Sequence, residues 1–242
     1  MSIFTIIYNY KEIILLLVFV FVIIYWFLKP KVLKPDYFSK DYWEKRYNCH
    51  SKKFEWYNGL ERLNKDFNFE ELLKDHTKAK SKILEIGCGT SDLSFSLANK
   101  GFCNLYAIDY SLTAIDLMKK NFSHKNLTYL VLSFYDLNLF FGKNEIDVII
   151  DKAGIDTINT LNDLDIIREN LNKVFNEIYK VLKKGGIVFN ISNKNKEFWK
   201  ENIYDNIVKE GKFEYIDTKQ STFTTDQNSN LMKYYLHIIK KL

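Results

Sequence analysis

The chain has 242 residues, 47% of them hydrophobic, and a formal net charge of +5 at pH 7. This hydrophobic fraction is sufficient for one packed α/β domain and argues against a wholly disordered chain. The lysines are scattered rather than clustered, so nucleic-acid binding is not expected. Three unpatterned cysteines and four dispersed histidines argue against a disulfide framework and predict no metal site.

An apolar segment lies near the N terminus, where residues 13–28 carry no charge. A helix over these sixteen residues is about 24 Å long, and residues 3–8 would extend it toward the roughly 30 Å of a membrane core. A cleaved signal peptide would need a small-residue cleavage site, and a buried core helix would need a polar face. Residues 1–28 are therefore predicted to form a transmembrane helix.

The residues after this segment predict its orientation. Lys29, Lys31, Lys34 and Lys40 follow it, whereas only Lys11 precedes it, and such a bias places the following domain on the cytoplasmic side. Both prolines of the chain lie in residues 29–36, which are expected to form a stiff linker. The prediction is a single-pass membrane protein whose residues 37–242 form a domain facing the cytoplasm.

Beyond the linker, short β-rich runs alternate with helical patterns, which is typical of parallel βαβ units. The predicted strands are Lys82–Ile86, Leu105–Ile108, Leu127–Leu132, Ile146–Ile150, Ile187–Ile191, Phe213–Thr218 and Lys233–Ile239. Ser91 and Ser111 can cap two of the helices between them. A long helix is expected from Leu161 to Leu182.

A glycine turn follows the first predicted strand, in Ile86-Gly87-Cys88-Gly89. Two glycines let the backbone turn sharply and approach a ligand closely. Asp109 ends the next strand twenty residues after Gly89, where a carboxylate can accept hydrogen bonds from both hydroxyls of a ribose. This spacing predicts a nucleoside site.

Position 92 discriminates between nucleotides. A dinucleotide site would have a third glycine here, but this chain has Asp92, and an acid in the first turn of the helix would repel a pyrophosphate. S-adenosylmethionine carries no phosphate, and its ammonium group tolerates nearby acids such as Glu85. The sequence therefore favours S-adenosylmethionine over NAD or FAD.

Three further motifs lie in residues 42–47 (YWEKRY), 54–57 (FEWY) and 151–156 (DKAGID). With the glycine turn, they make the chain resemble the class I S-adenosylmethionine-dependent methyltransferases, and in particular the branch with the eukaryotic elongation factor 1-alpha lysine methyltransferases. The resemblance covers about residues 40 to 190. It implies an α/β fold with a Rossmann-like seven-stranded sheet and helices on both faces. It also implies methyl transfer to a protein, with a lysine side chain, for example of elongation factor 1-alpha, as acceptor.

Two departures from that branch affect the site. Its Gly-Thr-Leu is Ala153-Gly154-Ile155 here, so the glycine is displaced by one position. Its acid after the third strand aligns with Ser133, and either Ser133 or Asp136 is expected to take the role of that acid toward adenine.

The resemblance also implies roles for single residues. Arg46 is expected to bind the methionine carboxylate, with a surface ion pair to Glu44 or Asp41 as the structural alternative. Asp151, at the end of the fourth strand, is the predicted catalytic residue and would orient the incoming amine. The predicted cofactor-binding residues are Trp43, Arg46, Tyr57, Glu85, Gly87, Cys88, Gly89, Asp109, Tyr110, Ser133, Phe134 and Asp151. Trp43 and Tyr57 could equally be ordinary core residues.

Two other functions stay open at this point. A membrane-associated methyltransferase could act on a small-molecule or lipid acceptor. An inactive scaffold that binds the cofactor would explain the two departures.

Overall fold

The computed structural model describes residues 11–28, 35–49, 54–204, 210–225 and 228–242. The chain divides into two compact units, residues 1–35 and residues 36–242. Helix α1 (Lys11–Leu28) belongs to the first unit. Residues 29–34 of the predicted linker lie outside the described part.

The prediction of a transmembrane helix over residues 1–28 is wrong. No helix in the described ranges combines the length and the hydropathy that crossing a membrane requires. Helix α1 begins with the charged residues Lys11 and Glu12, so its uncharged part is about 24 Å long, short of a core of roughly 30 Å. Residues 1–10, which the prediction needed to extend the helix, lie outside the described part. The predicted membrane partner and the single-pass location facing the cytoplasm depended on this span and are corrected with it.

The second unit alternates helices and strands as the sequence predicted. Its helices are α2 (Lys40–Cys49), α3 (Leu60–Phe67), α4 (Phe69–Asp75), α5 (Leu93–Asn99), α6 (Leu112–Asn121), α7 (Leu164–Val181) and α8 (Lys196–Trp199). Its strands are β1 (Ile83–Ile86), β2 (Leu105–Asp109), β3 (Leu127–Val131), β4 (Ile146–Lys152), β5 (Leu182–Ser192), β6 (Phe213–Thr225) and β7 (Asn228–Lys241). Short 3₁₀ turns cover Leu137–Leu139 and Ile155–Thr160.

The seven strands form one mixed sheet in the order β3-β2-β1-β4-β5-β7-β6. Strands β1 to β5 pair in parallel, whereas β7 is antiparallel to both of its neighbours. The chain leaves β1 toward β2 on one side and later returns to β4 on the other. A crevice at the carboxyl ends of the strands is expected at such a switch point, and the glycine turn, Asp109 and Asp151 all lie at that edge.

Hydrophobic cores pack on both faces of the sheet, because successive strand residues point in opposite directions. Ile83 of β1 belongs to the core beneath α3 to α6, and its neighbour Leu84 belongs to the core beneath α7. The predicted seven-stranded sheet with helices on both faces is therefore present.

One of the two predicted helix caps is present, and the other helix begins one residue later than predicted. The Ser111 hydroxyl accepts a hydrogen bond from the Ala114 amide at 3.1 Å and caps α6. The residue before α5 is Asp92 rather than Ser91. Helix α7 begins later than predicted, since the Asp163 carboxylate accepts from the Asp165 and Ile166 amides and residues 155–160 form a 3₁₀ turn.

Candidate active site

A cleft opens where the chain leaves β1, β2 and β4. Seven predicted site residues line it: Trp43, Gly87, Cys88, Gly89, Asp109, Tyr110 and Phe134. Nine further lining residues are Tyr47, Phe54, Trp56, Thr90, Ser91, Lys152, Ala153, Gly154 and Thr157. Residues far apart in the sequence therefore meet at the predicted edge of the sheet.

The glycine turn forms the floor of the cleft. Gly87 and Gly89 have φ angles of +63° and +51°, a region that favours glycine. A Cβ atom on Gly89 would lie 2.7 Å from the Tyr47 hydroxyl. The turn is joined to β2, because the Cys88 amide donates to the Ile108 carbonyl at 2.9 Å. The backbone conformation thus favours glycine at both positions, and the Tyr47 side chain lies close to Gly89.

Asp109 presents a fixed carboxylate beside this turn. Its Oδ2 accepts a hydrogen bond from the Gly89 amide at 2.9 Å, and its Oδ1 accepts one from the Ser111 amide at 2.8 Å. Burial raises the pKa of Asp109 to about 6, while these two hydrogen bonds act to lower it. Each oxygen keeps a second lone pair, so the group can still accept from the two hydroxyls of a ribose. This geometry fits a nucleoside such as that of S-adenosylmethionine.

Helix α2 supplies an aromatic wall. Trp43 and Tyr47 lie one turn apart on α2, and their rings stack with centroids 5.6 Å apart. Burial and the nearby Asp109 raise the pKa of Tyr47 far above its ordinary value. Tyr47 was not predicted as a site residue, although its helical spacing from Trp43 indicates that both side chains lie on the same face of α2.

A buried ion pair joins the second and third motifs. The Lys152 ammonium lies 2.5 Å from Glu55 Oε2 and donates to the Trp56 carbonyl at 3.1 Å, and the Lys152 side chain is only 3% exposed. Glu55 Oε1 also accepts from the Asp92 amide at 3.0 Å. These bonds fasten residues 54–56 to the end of β4 and to the start of α5.

Glu85 is buried beneath this ion pair at the end of β1. Its Oε2 accepts from the Ser94 hydroxyl at 2.5 Å and from the Ser94 amide at 3.2 Å. Burial raises the pKa of Glu85 to about 7, and the positive charge of Lys152 acts against that rise. Glu85 does not belong to the lining of the cleft.

The loop after β4 explains the displaced glycine. Ala153 occupies the left-handed region, with a φ of +66°. Gly154 instead packs on the glycine turn, where a Cβ atom would lie 3.3 Å from the Gly87 Cα and 2.8 Å from Asp151 Oδ1. The glycine of this chain therefore stands where a Cβ atom would contact its neighbours too closely, and an alanine carries the unfavourable backbone conformation.

Asp151 lies under this loop rather than in the cleft. Its Oδ1 accepts from the Ile155 amide at 3.0 Å, and its Oδ2 accepts from the Asn190 side chain at 2.6 Å. Burial and the nearby Asp156 carboxyl both raise the pKa of Asp151 well above its ordinary range. The side chain is fully buried, and the catalytic role expected of Asp151 stays a prediction.

Three other predicted residues also lie outside the lining. The Arg46 guanidinium lies 4.5 Å from the centre of the Phe54 ring and donates to the Tyr42 hydroxyl at 3.1 Å. The Ser133 hydroxyl accepts from the Tyr135 amide at 3.1 Å, and Tyr57 is buried beside the cleft. The cofactor contacts expected of these residues, and the choice between Ser133 and Asp136, stay predictions.

Residues 77–236 match a protein family described as a methyltransferase domain. The chain belongs to this methyltransferase-domain family. It is an S-adenosylmethionine-dependent methyltransferase, so the recognised family, the enzyme class and the cofactor are confirmed.

Two sets of relatives are also named as methyltransferases. The eEF1A lysine and N-terminal methyltransferases of Mus musculus and Xenopus laevis are 31% and 32% identical to the chain over 160 and 162 residues, which is 66% of this chain and 22% of each relative. EEF1A lysine methyltransferase 4 of Bos taurus is 27% identical over 159 residues, 62% of this chain and 59% of the relative. The chain thus matches about a fifth of the length of the first two proteins.

Solved structures share the fold at low identity. An S-adenosylmethionine-dependent methyltransferase from Anabaena variabilis has a TM-score of 0.60 at 15% identity, covering 87% of this chain and 96% of that protein. NodS, an N-methyltransferase from Bradyrhizobium japonicum in complex with S-adenosyl-L-homocysteine, has a TM-score of 0.54 at 14% identity, covering 82% and 98%. At such identities the likeness shows the fold alone.

Proposed function

We propose that this methyltransferase transfers a methyl group to a lysine side chain of a protein, with elongation factor 1-alpha as the first candidate. The observation that carries the proposal is the convergence of the three motifs on one cleft. Trp43 comes from the first motif, Trp56 from the second and Lys152 from the third, and all three line the cleft. The names of the relatives that match this chain support a lysine acceptor.

The residues of the cleft suit S-adenosylmethionine. Asp109 would hold the ribose, the glycine turn would pass close to the nucleoside, and Tyr110 and Phe134 would flank the base. Bound there, S-adenosylmethionine supplies an electrophilic methyl group on its sulfonium. The protein's own task is to align the acceptor nitrogen and to exclude water. A lysine must also lose its proton first, since its unperturbed pKa is about 10.4.

Asp151 contributes to this alignment as a positioning residue for the loop 153–156. In Asp151→Asn the new amide can donate to the Asn190 oxygen, which has no hydrogen-bond partner among the described residues. We expect turnover to fall about tenfold, with cofactor affinity and melting temperature nearly unchanged. Single-turnover methylation, cofactor titration and thermal melts separate these effects, and an equal loss of cofactor affinity would instead place Asp151 in the cofactor site.

The proposed function is tested by incubating the full chain with radiolabelled S-adenosylmethionine and a delipidated, desalted eukaryotic cell extract. We expect label in protein bands, recovered as methyl-lysine after acid hydrolysis, and purified elongation factor 1-alpha is then tested by itself. The control is Asp109→Ala, which should label much less at a cofactor concentration below the dissociation constant of the wild type. Label that appears only when the lipid or small-molecule fraction is restored would overturn the protein acceptor, and label nowhere would favour an inactive scaffold.

A further inference from the structure

A second pocket of about 120 Å³ adjoins the cofactor cleft. Four residues line both spaces: Trp43, Trp56, Ala153 and Thr157. The second pocket therefore shares part of its wall with the cleft. A ligand in this pocket would lie next to whatever occupies the cleft.

Four of the nine described residues that line the second pocket are aromatic, namely Tyr37, Trp43, Trp56 and Tyr57. The Tyr37 ring lies 5.8 Å from the Trp43 ring and 5.9 Å from the Trp56 ring, in the latter case nearly perpendicular to it. The Trp43 indole is fixed, because its Nε1 donates to the Tyr37 carbonyl at 2.8 Å. Such faces and edges attract alkyl chains and, through the ring quadrupole, organic cations.

One carboxylate completes the wall. Among the described residues that line the second pocket, Asp156 is the only charged one. Its oxygens accept from the Tyr57 hydroxyl at 2.6 Å, the Ser192 hydroxyl at 2.5 Å and the Asn193 amide at 3.1 Å. Burial raises the pKa of Asp156, whereas these three donors act to lower it and hold the carboxyl group in one orientation beside the aromatic rings.

The backbone is strained where it brings Tyr57 to this carboxylate. Tyr57 has a φ angle of +56°, which is costly for a residue with a bulky side chain. The Tyr57 ring is held by stacking on Tyr234, with centroids 5.6 Å apart and planes 11° apart. Strain that the surrounding structure maintains is typical of binding sites.

We propose that the second pocket admits the side chain of the acceptor lysine, an inference that rests on the proposed function. The aromatic rings surround the alkyl chain, Asp156 supplies the counter-charge for the ammonium, and the shared wall delivers the nitrogen to the cleft. A neutral or anionic acceptor would leave Asp156 facing an apolar chain or a like charge. The pocket thus selects a primary alkylamine.

The transfer balances for such an acceptor. The ammonium first releases one proton to solvent, and the lone pair of the neutral nitrogen then forms the new bond to the methyl carbon. The carbon–sulfur bond breaks with its electron pair remaining on sulfur, which leaves a neutral thioether. The product nitrogen carries the positive charge, so one proton is released for each methyl group transferred.

The test measures binding by the full chain in saturating S-adenosyl-L-homocysteine, with tryptophan fluorescence as the readout because Trp43 and Trp56 line the pocket. The probe is Nα-acetyl-lysine-N-methylamide, and its neutral counterpart is Nα-acetyl-norleucine-N-methylamide. We expect the lysine amide to bind about tenfold more tightly. Asp156→Asn should abolish that preference.

A substitution at the exposed rim keeps the test independent of folding. Thr160→Phe should fill the mouth of the pocket and weaken lysine-amide binding about tenfold, while affinity for S-adenosyl-L-homocysteine stays unchanged. Thr128→Phe, on the exposed face of β3, is the matched control and should bind like the wild type. Absence of lysine-amide binding, equal binding of the two amides, or no effect of Thr160→Phe would each overturn the proposal.

The second pocket and the proposed function can fail separately. If the wild type labels protein lysines and Thr160→Phe labels them at the same rate, the lysine enters elsewhere and the function stands. If the wild type binds the lysine amide selectively but labels no protein in the extract, the function fails and the pocket keeps its alkylamine ligand.

Discussion

The cofactor cleft and the second pocket share part of a wall but differ in how they are built. The floor of the cleft is backbone, namely the glycine turn and the end of β2, which lie within about twenty residues of each other. The second pocket is lined by Tyr37, Trp43, Trp56 and Tyr57 from one part of the chain, by four residues between positions 153 and 160 from another, and by Asn193. A site made of local turns depends on a few glycines and one acid, whereas a site made of distant side chains depends on the bonds that fasten the two segments together.

The strongest test of this difference is Lys152→Met, because Lys152 ties residues 54–56 to the end of β4. Removing one partner of a buried ion pair typically lowers the free energy of unfolding by about 3–5 kcal/mol, since the other charge stays buried. We also expect lysine-amide affinity to fall more than affinity for S-adenosyl-L-homocysteine. Urea unfolding and the two titrations measure these effects.

A second ion pair provides the matched control. Lys173 and Glu169 of α7 form an exposed pair at 2.8 Å, with 59% and 64% of their side chains accessible, so Lys173→Met should change stability by less than about 0.5 kcal/mol. Glu55→Gln combined with Lys152→Met should recover part of the loss. Equal effects of the two single lysine substitutions would show that Lys152 does not hold the segment.

Asp109→Ala is expected to weaken binding in the cleft more than binding in the second pocket. Loss of charge-assisted hydrogen bonds to the ribose should weaken cofactor binding by roughly 1.5–3 kcal/mol, about ten- to a hundredfold. Stability should also fall, because the Gly89 and Ser111 amides lose their acceptor. Calorimetric titration with S-adenosyl-L-homocysteine measures the loss, and the exposed Asp116→Ala on α6 is the control. Unchanged binding would remove Asp109 from the site.

The difference between a cleft built from local turns and a pocket built from distant side chains also explains which features the sequence could predict. The glycine turn, Asp109 and the cap at Ser111 follow from local backbone requirements, and all stand where they were expected. The Lys152–Glu55 and Tyr57–Asp156 contacts join residues 97 and 99 positions apart, and no local pattern indicates such partners. Asp151 was expected in the cleft because its strand ends there, but strand position does not determine whether a side chain points into the cleft or under the loop.

The pH dependence of the free energy of unfolding tests whether the pKa of the buried Glu85 is raised in the folded state. Burial raises the pKa of Glu85 to about 7, so the folded state binds this proton more tightly than the unfolded state. Glu85 therefore destabilises the fold progressively as the pH rises from its ordinary pKa of about 4.3 through 7. The lowered pKa of His237, about 4, acts in the opposite direction, so wild type alone does not isolate Glu85.

Comparison with Glu85→Gln isolates this contribution. The glutamine keeps the size of the side chain and can still accept from Ser94 but does not titrate. We expect the stability of the variant relative to wild type to increase as the pH rises from about 5 to about 8. Urea unfolding across that range measures it, with the exposed Glu61→Gln on α3 as control. A pH-independent difference would mean that Glu85 is ionised throughout.

The smallest expected effect concerns Ala153, which lines both the cleft and the second pocket. Its φ of +66° costs a residue with a Cβ atom about 1–2 kcal/mol. Ala153→Gly relieves this strain but increases the freedom of the unfolded chain and removes a buried methyl group. We expect a net stabilisation of less than about 1 kcal/mol.

Gly154→Ala is the matched opposite, because it adds a Cβ atom 2.8 Å from Asp151 Oδ1 and 3.2 Å from the Ile86 carbonyl oxygen. Overpacking against backbone should lower stability by about 1–3 kcal/mol, and the glycine turn beneath it should lose cofactor affinity. Thermal melts and titration with S-adenosyl-L-homocysteine compare the two variants. If Ala153→Gly destabilises the fold and Gly154→Ala does not, the loop needs glycine at position 153, where the Gly-Thr-Leu motif of the resembling branch has it. If Ala153→Gly stabilises the fold and Gly154→Ala destabilises it, glycine is needed at position 154 instead. The contact between the loop after β4 and the glycine turn is then the reason for that glycine.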